Sequence, residues 1–337
     1  MKTSKSFAVA GSVAAMALAL SACGGGSTGS GSADGQTLRL ALNQTETHPS
    51  YIALDNLGTK VSEATEGRLE VDVYANETLG AQQEAIQLVS DGSVEMAVVS
   101  GTQLENLNKD FQVFNLPQVF DSVEHQMSVV GDDEITGELY SSLEDQNLTV
   151  LGGLTQGTRS IYNTEGPVNT PADLDGMKIR VQESDVQLKM IELMGGAPTP
   201  MAFGEVYTAL QSGVIDGAEN NEISYLTQKH NEVAKYYSNT DHLVGLDYVV
   251  INTDVYEAMS EEDRATFEEQ WETAVEEHTE LWLSETEKAH EELEASGTEF
   301  NDVDNEAFRT ALEPLIDEYV TSETAQKLYD AARAAAE

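Results

Sequence analysis

Basic residues are scarce: 17 Lys and Arg stand against 60 Asp and Glu in 337 residues, a formal net charge of −43. Phosphates are held by clustered Lys and Arg, so this balance excludes a nucleic-acid binder and attachment to an anionic membrane through a basic patch. A single cysteine, Cys23, rules out an internal disulfide and a zinc site built on cysteines. The apolar stretch Phe7 to Leu20 is too short to span a bilayer comfortably. Asp302, Asp304 and Glu306 alternate, but no Gly follows at the sharp turn a calcium loop needs, so no metal site is expected.

What remains is a chain with 40% hydrophobic residues, long enough for two ordinary domains with real cores, whose acids are spread as a solvating surface. Lys2 and Lys5 ahead of Phe7 to Leu20 give the charged-then-apolar order of a secretory signal, so residues 1–22 are set aside from the fold. Leu20-Ser21-Ala22-Cys23 resembles the bacterial lipobox, in which the cysteine is lipidated and becomes the first residue. Residues 23–36 then form a Gly/Ser tether with a root-mean-square reach of about 20 Å. Within it, Gly25-Gly26-Ser27-Thr28-Gly29 matches the hydrolase nucleophile elbow formally but lacks the flanking strand and helix.

Alternation in Leu38 to Leu42 and Leu69 to Val73 predicts two strands flanking an amphipathic helix from about 51 to 64. Helices near 82–89 and 135–143 and strands at 94–99 and 148–151 continue the order. A second set follows Gly157: strands through Ile161 and at Met177 to Val181, a helix at 184–194, and a helix at 205–211 leading into Val214-Ile215-Asp216-Gly217. Glu84 to Ala97 aligns without gaps with Glu205 to Ala218, pairing Gly92 with Gly213. Such units predict an α/β fold of two lobes on one plan, helices on a mostly parallel sheet, and a cleft at the carboxyl ends of strands. Any helix-Gly-strand connection looks partly similar, so the repeat alone does not settle this.

Ser260 followed by Glu261-Glu262-Asp263 reads as a helix cap, and no Pro or Gly intervenes before Gly297. A helix of up to 36 residues, about 54 Å, exceeds one small domain and is expected to run along both lobes, with Trp271, Val275, Leu281 and Trp282 on or near its packed side.

Three runs carry a resemblance to a known family: Asp173 to Val181 (DLDGMKIRV), Pro198 to Gln211 (PTPMAFGEVYTALQ) and Val214 to Asn220 (VIDGAEN). The mature chain resembles the extracytoplasmic solute-binding protein of a tripartite ATP-independent periplasmic (TRAP) transporter, of the dicarboxylate-binding type. Asn221 departs from the pattern, where the family usually has Pro. The residues support a clamp on their own terms. Met177, Ile179 and Val181 share one side of their strand, leaving Arg180 on the other near its carboxyl end. Its planar fork fits a carboxylate as Lys cannot. Taken alone, an Arg among sixty acids is more often a structural ion pair. The resemblance implies that Arg180 is the carboxylate clamp and that Arg159 is a second arginine often touching substrate. Asn220 would fix the carboxylate or a hydroxyl and Phe203 would offer an apolar wall. Asn43 and Gln82 are weaker candidates from the opposite lobe.

The resemblance further implies a two-lobed periplasmic-binding-protein-like fold: lobe I from 37–156 plus 246–285, lobe II from 157–245 plus 286–337. The expected function is a membrane-tethered receptor for a small organic acid, handing it to small and large permease subunits without making or breaking a bond, and without a cofactor. The binding component of an ATP-driven importer, a sensory receptor and a secreted enzyme acting on carboxylates are the competing readings. Against the enzyme, no nucleophile-base-acid set, metal-ligand spacing or phosphate loop is found.

Overall fold

The computed structural model describes residues 35–336; the expected signal, Cys23 and nearly all of the tether lie outside them. Nine strands form one sheet: β1 (Gln36–Ala41), β2 (Leu69–Tyr74), β3 (Met96–Ser100), β4 (Leu148–Asn163), β5 (Lys178–Val181), β6 (Ala197–Pro200), β7 (Gly217–Asn220), β8 (Tyr236–Asn252) and β9 (Glu299–Asp302). Their order is β2-β1-β3-β8-β4-β7-β5-β6, with β9 paired to β8. The outer groups β2-β1-β3 and β7-β5-β6 are parallel, as helix crossovers require, whereas the central pairs β3-β8, β8-β4 and β4-β7 are antiparallel. Two α/β lobes are thus joined by one sheet, through the long strands β4 and β8 that belong to both.

The alignment of Glu84–Ala97 with Glu205–Ala218 has a structural counterpart. Gly92 and Gly213 end their helices at φ +70° and +71°, a conformation that costs a side chain but not glycine. The strand expected at Val214 to Gly217 starts later, at Gly217.

Two further readings change. The strands expected at 148–151 and through Ile161 are one strand of 16 residues, interrupted by register shifts between Val150 and Gly152, between Thr155 and Thr158, and between Arg159 and Ile161. Strand β8, of 17 residues, was not anticipated at all.

The expected long helix spans Glu261–Ala295, 35 residues, with the Ser260 side chain capping the Asp263 N–H. Its buried stripe, Phe267, Trp271, Ala274, His278, Trp282, Ala289 and Leu293, keeps helical spacing. Val275 and Leu281, also expected there, are half-buried. The stripe lies across the first two interruptions in β4. Trp271 Nε1 donates to the Leu151 carbonyl at 3.0 Å. Trp282 fills the space beside Gly157, where a Cβ would lie 2.3 Å from Nε1 and φ is +56°. The final helix, Glu323–Ala334, packs against the helices Val123–Val130 and Asp133–Ser141 of the first lobe.

Between this spine helix and the helix Pro49–Ala64 runs a buried polar chain. His48 Nδ1 accepts from the Ser50 N–H at 3.2 Å, Ser50 Oγ meets His278 Nε2 at 3.2 Å, and His48 Nε2 meets Ser224 Oγ at 3.3 Å. Burial, helped by their proximity, lowers the pKa of His48 to about 3; burial alone does so for His278. His230, against the Tyr162 hydroxyl, is lowered to about 3 by burial and by the Arg180 charge. Below the ordinary histidine pKa the unfolded chain takes protons that the folded one refuses. Stability is therefore full above about pH 6.5 and falls as pH drops toward 3, by about 1.4 kcal/mol per pH unit per histidine. Between about pH 6 and about pH 5 the three histidines together should cost about 3 to 4 kcal/mol, opposed by carboxyls such as Asp247 whose burial raises their pKa. Urea unfolding should show His278→Gln flattening the slope by about 1 kcal/mol over that interval.

Candidate functional site

Arg180 leaves β5 at its carboxyl end and is buried, 2% exposed. Nε and Nη2 donate to the Met201 carbonyl at 3.1 and 2.8 Å, and the guanidinium carbon lies 5.6 Å from the centre of the Phe203 ring. It forms no ion pair with a described residue. Burial pulls its pKa down to about 10, with Glu219 and other groups acting in the opposite direction, so it stays charged at neutral pH. A carbonyl and a ring face orient the fork but leave its charge uncompensated.

Arg159, on β4, is placed differently. Nε and Nη2 grip the two Glu219 carboxylate oxygens at 2.6 and 2.7 Å, Nη2 also meets the Glu219 carbonyl, and Nη1 donates to Asn220 Oδ1 at 2.8 Å. Burial works against both charges, yet each holds the other: the Arg159 pKa is raised and that of Glu219 is lowered, with His242 assisting. Asn220 Oδ1 also accepts from both the backbone and side-chain nitrogens of Asn221, which leaves the Asn220 amide N–H groups for another partner. Asn221, where the family pattern has Pro, caps the helix Glu222–Thr227 by accepting the Ser224 N–H at 2.7 Å.

From the other lobe, Asn43 follows β1 and Gln82 opens the helix Gln82–Ser90, its Oε1 accepting the Ser100 N–H at 2.9 Å. Arg180, Asn43, Gln82 and Phe203 line one cavity; Arg159, Asn220, Asn43, Gln82 and Phe203 line the adjoining one. All six residues singled out in the sequence are therefore brought to one interlobe cleft. Sequence reasoning missed Gln44, Gln156, Gln182 and Asp247. Asp247 had a signal, as the single charge in the apolar run Leu243 to Ile251. It is buried, and that burial raises its pKa to about 7 against the pull of Arg159.

The cleft is shut. Ser184 donates to Glu105 at 2.6 Å, Asn106 to the Glu183 carbonyl at 3.1 Å, Lys109 pairs with Asp185 at 3.1 Å, and Thr102 bonds Gln182, all across its mouth. The cavities measure about 30 and 10 Å³, room for a water or two. Anything larger enters only if the lobes part. A larger cavity, about 560 Å³, lies elsewhere, with Asp121 and Asp241 facing a single Arg309. The chemistry favours the smaller site, where a buried cation lacks an anion.

The family described as bacterial extracellular solute-binding protein, family 7, matches residues 40–323. A solute-binding protein of Chromohalobacter salexigens is 38% identical over 81% of this chain and 81% of its own length. The TRAP periplasmic solute-binding protein of Anaerococcus prevotii, solved with bound α/β-D-glucuronate, superposes with a TM-score of 0.86 at 37% identity, covering 89% of this chain and 97% of its own. That of Xanthobacter autotrophicus, with β-D-galacturonate, gives a TM-score of 0.85 at 30% identity, over 88% and 99%.

The two arginines should separate in a stability measurement. Arg159→Met leaves Glu219 buried with only His242 beside it and should cost about 3 kcal/mol or more. Arg180→Met removes a buried charge that has no counterion and should leave the melting temperature unchanged or raise it. Thermal unfolding of both variants without ligand checks this.

Proposed function

The chain belongs to the bacterial extracellular solute-binding proteins of family 7, the receptors of TRAP transporters, and we propose that within this family it captures a hexuronate or a closely related sugar acid. As a member it is an extracytoplasmic binding protein for a small organic acid and not an enzyme. The observation that carries the finer reading is the buried Arg180 fork, charged, oriented by Met201 and Phe203, and without a carboxylate of its own.

In this reading the ligand carboxylate completes the Arg180 pair by charge-assisted hydrogen bonds. Arg159 holds Asn220 in place through its bond to Oδ1, so that the free amide N–H groups face the ligand. Asn43 and Gln82 contact it from the first lobe, and Phe203 walls its apolar face. The relatives solved with glucuronate and galacturonate support a uronate, as does a lining of carboxamides, which donate and accept and so suit hydroxyl groups. The lobes, divided as 37–156 plus 246–285 and 157–245 plus 286–337 apart from the final helix, which packs on the first lobe, close on the ligand by bending β4 and β8. Contacts made only in the closed form shift the population toward it. The closed protein then docks on the small and large membrane subunits. No described helix is long and apolar enough to cross a membrane, and attachment would come from a lipid on Cys23.

Calorimetric titration with D-glucuronate tests the clamp: Arg180→Ala should lose about 3 kcal/mol or more, at least 100-fold in affinity. Unchanged affinity would remove Arg180 from the site. The anchor is tested by growth on radiolabelled palmitate, where the wild-type protein should take up label and partition into detergent, and Cys23→Ser should do neither.

A further inference from the structure

The cleft contains a set of acceptors with nothing to accept. Asn43 Oδ1, Gln44 Oε1, Gln103 Oε1 and Glu77 Oε1 are buried without a hydrogen-bond partner among the described residues. Asp247 adds a carboxylate, 4% exposed, whose burial no hydrogen bond offsets. Its placement follows from strand alternation. Leu246, Tyr248 and Val250 turn into one core, Val249 and Ile251 into the other beneath the spine helix, and Asp247 shares the side of the latter pair where it runs out into the cleft.

The cationic side of the lining is smaller. Arg180 and Arg159 are its only cations among the described residues, and Arg159 is taken up by Glu219 and Asn220. One free guanidinium therefore faces several unpaired acceptors.

We propose that Asp247, with the unpaired oxygens of Asn43, Gln44, Gln103 and Glu77, reads the hydroxyl groups of the ligand and excludes any acid carrying a second carboxylate. The proposal rests on the reading that Arg180 holds the carboxylate of a sugar acid. A buried acceptor left unpaired is costly, so ligands that bring O–H donors are favoured over those that do not. A second carboxylate brings negative charge to Asp247 and Glu77, with carboxamide N–H groups but no free cation to meet it. Asp247 is thus a specificity-determining residue, distinct from a mere counterion for Arg159.

The test compares D-glucuronate, D-glucarate (a sugar acid with a carboxylate at each end) and succinate by calorimetry on the wild-type protein and on Asp247→Asn. Wild type should bind glucuronate at least 100-fold more tightly than either diacid. Asp247→Asn should narrow the glucuronate to glucarate ratio at least tenfold, losing affinity for the first and gaining it for the second. A counterion role would lower stability but leave that ratio alone. An unchanged ratio, or a wild type that binds glucarate as well as glucuronate, overturns the proposal. Should Asp247→Asn fail to fold, Glu77→Gln is read by the same ratio, with the same outcomes. Failure of the parent reading looks different: wild type then binds succinate but neither sugar acid, and both proposals fall.

Discussion

A guanidinium out of water and without a counterion is the constraint around which the rest is arranged. Arg180 is held by what can orient a cation without neutralising it, a carbonyl on one edge and an aromatic face beside it. Arg159, two strands away in the sheet, is neutralised by the Glu219 carboxylate. The same residue type thus stands in two states: one charge is neutralised within the sheet and the other is left without a counterion. The difference lies in their neighbours, and those come from segments remote in sequence. Glu219 is 60 positions from Arg159, and Met201 is 21 from Arg180.

The sheet makes this possible. Parallel β5, β6 and β7 bring their carboxyl ends to one edge, where Arg180, the Met201 carbonyl and Asn220 converge. Antiparallel β4 and β8 carry Arg159 and Asp247 to the same place from the middle of the sheet. The first lobe contributes polar groups at the exits of β1 and β3. No single lobe holds the whole lining.

Much of this was legible beforehand, for identifiable reasons. The run Asp173 to Asn220 puts its signature residues on short regular elements, so Arg180, Phe203 and Asn220 could be placed by alternation and by family pattern together. The spine helix was visible because 35 residues pass without a breaker after a capped start. The long strands were not. Glycines at Gly152 and Gly157 look like strand ends in a sequence, and only the tryptophans of the spine, lying against them, show that the strand continues through. Strand β8 hid because its first half, Tyr236 to Asp241, lacks clean alternation. Asp247 was missed because a lone acid in an apolar run signals a buried charge but not the site it faces until the neighbouring strand is known. Whether Arg159 was free or paired depended on a partner that local pattern cannot name.

The spine helix has one more consequence. Together with β4 and β8 it forms a third passage of the chain between lobes, and its tryptophans rest on the kinks of β4, a strand any bending must flex. Three struts fastened side by side leave a hinged object free to swing about one axis while resisting twist and sideways slip. Under the proposed closure, occupancy would be reported as a single angle, a quantity that a membrane partner could gauge by fit alone.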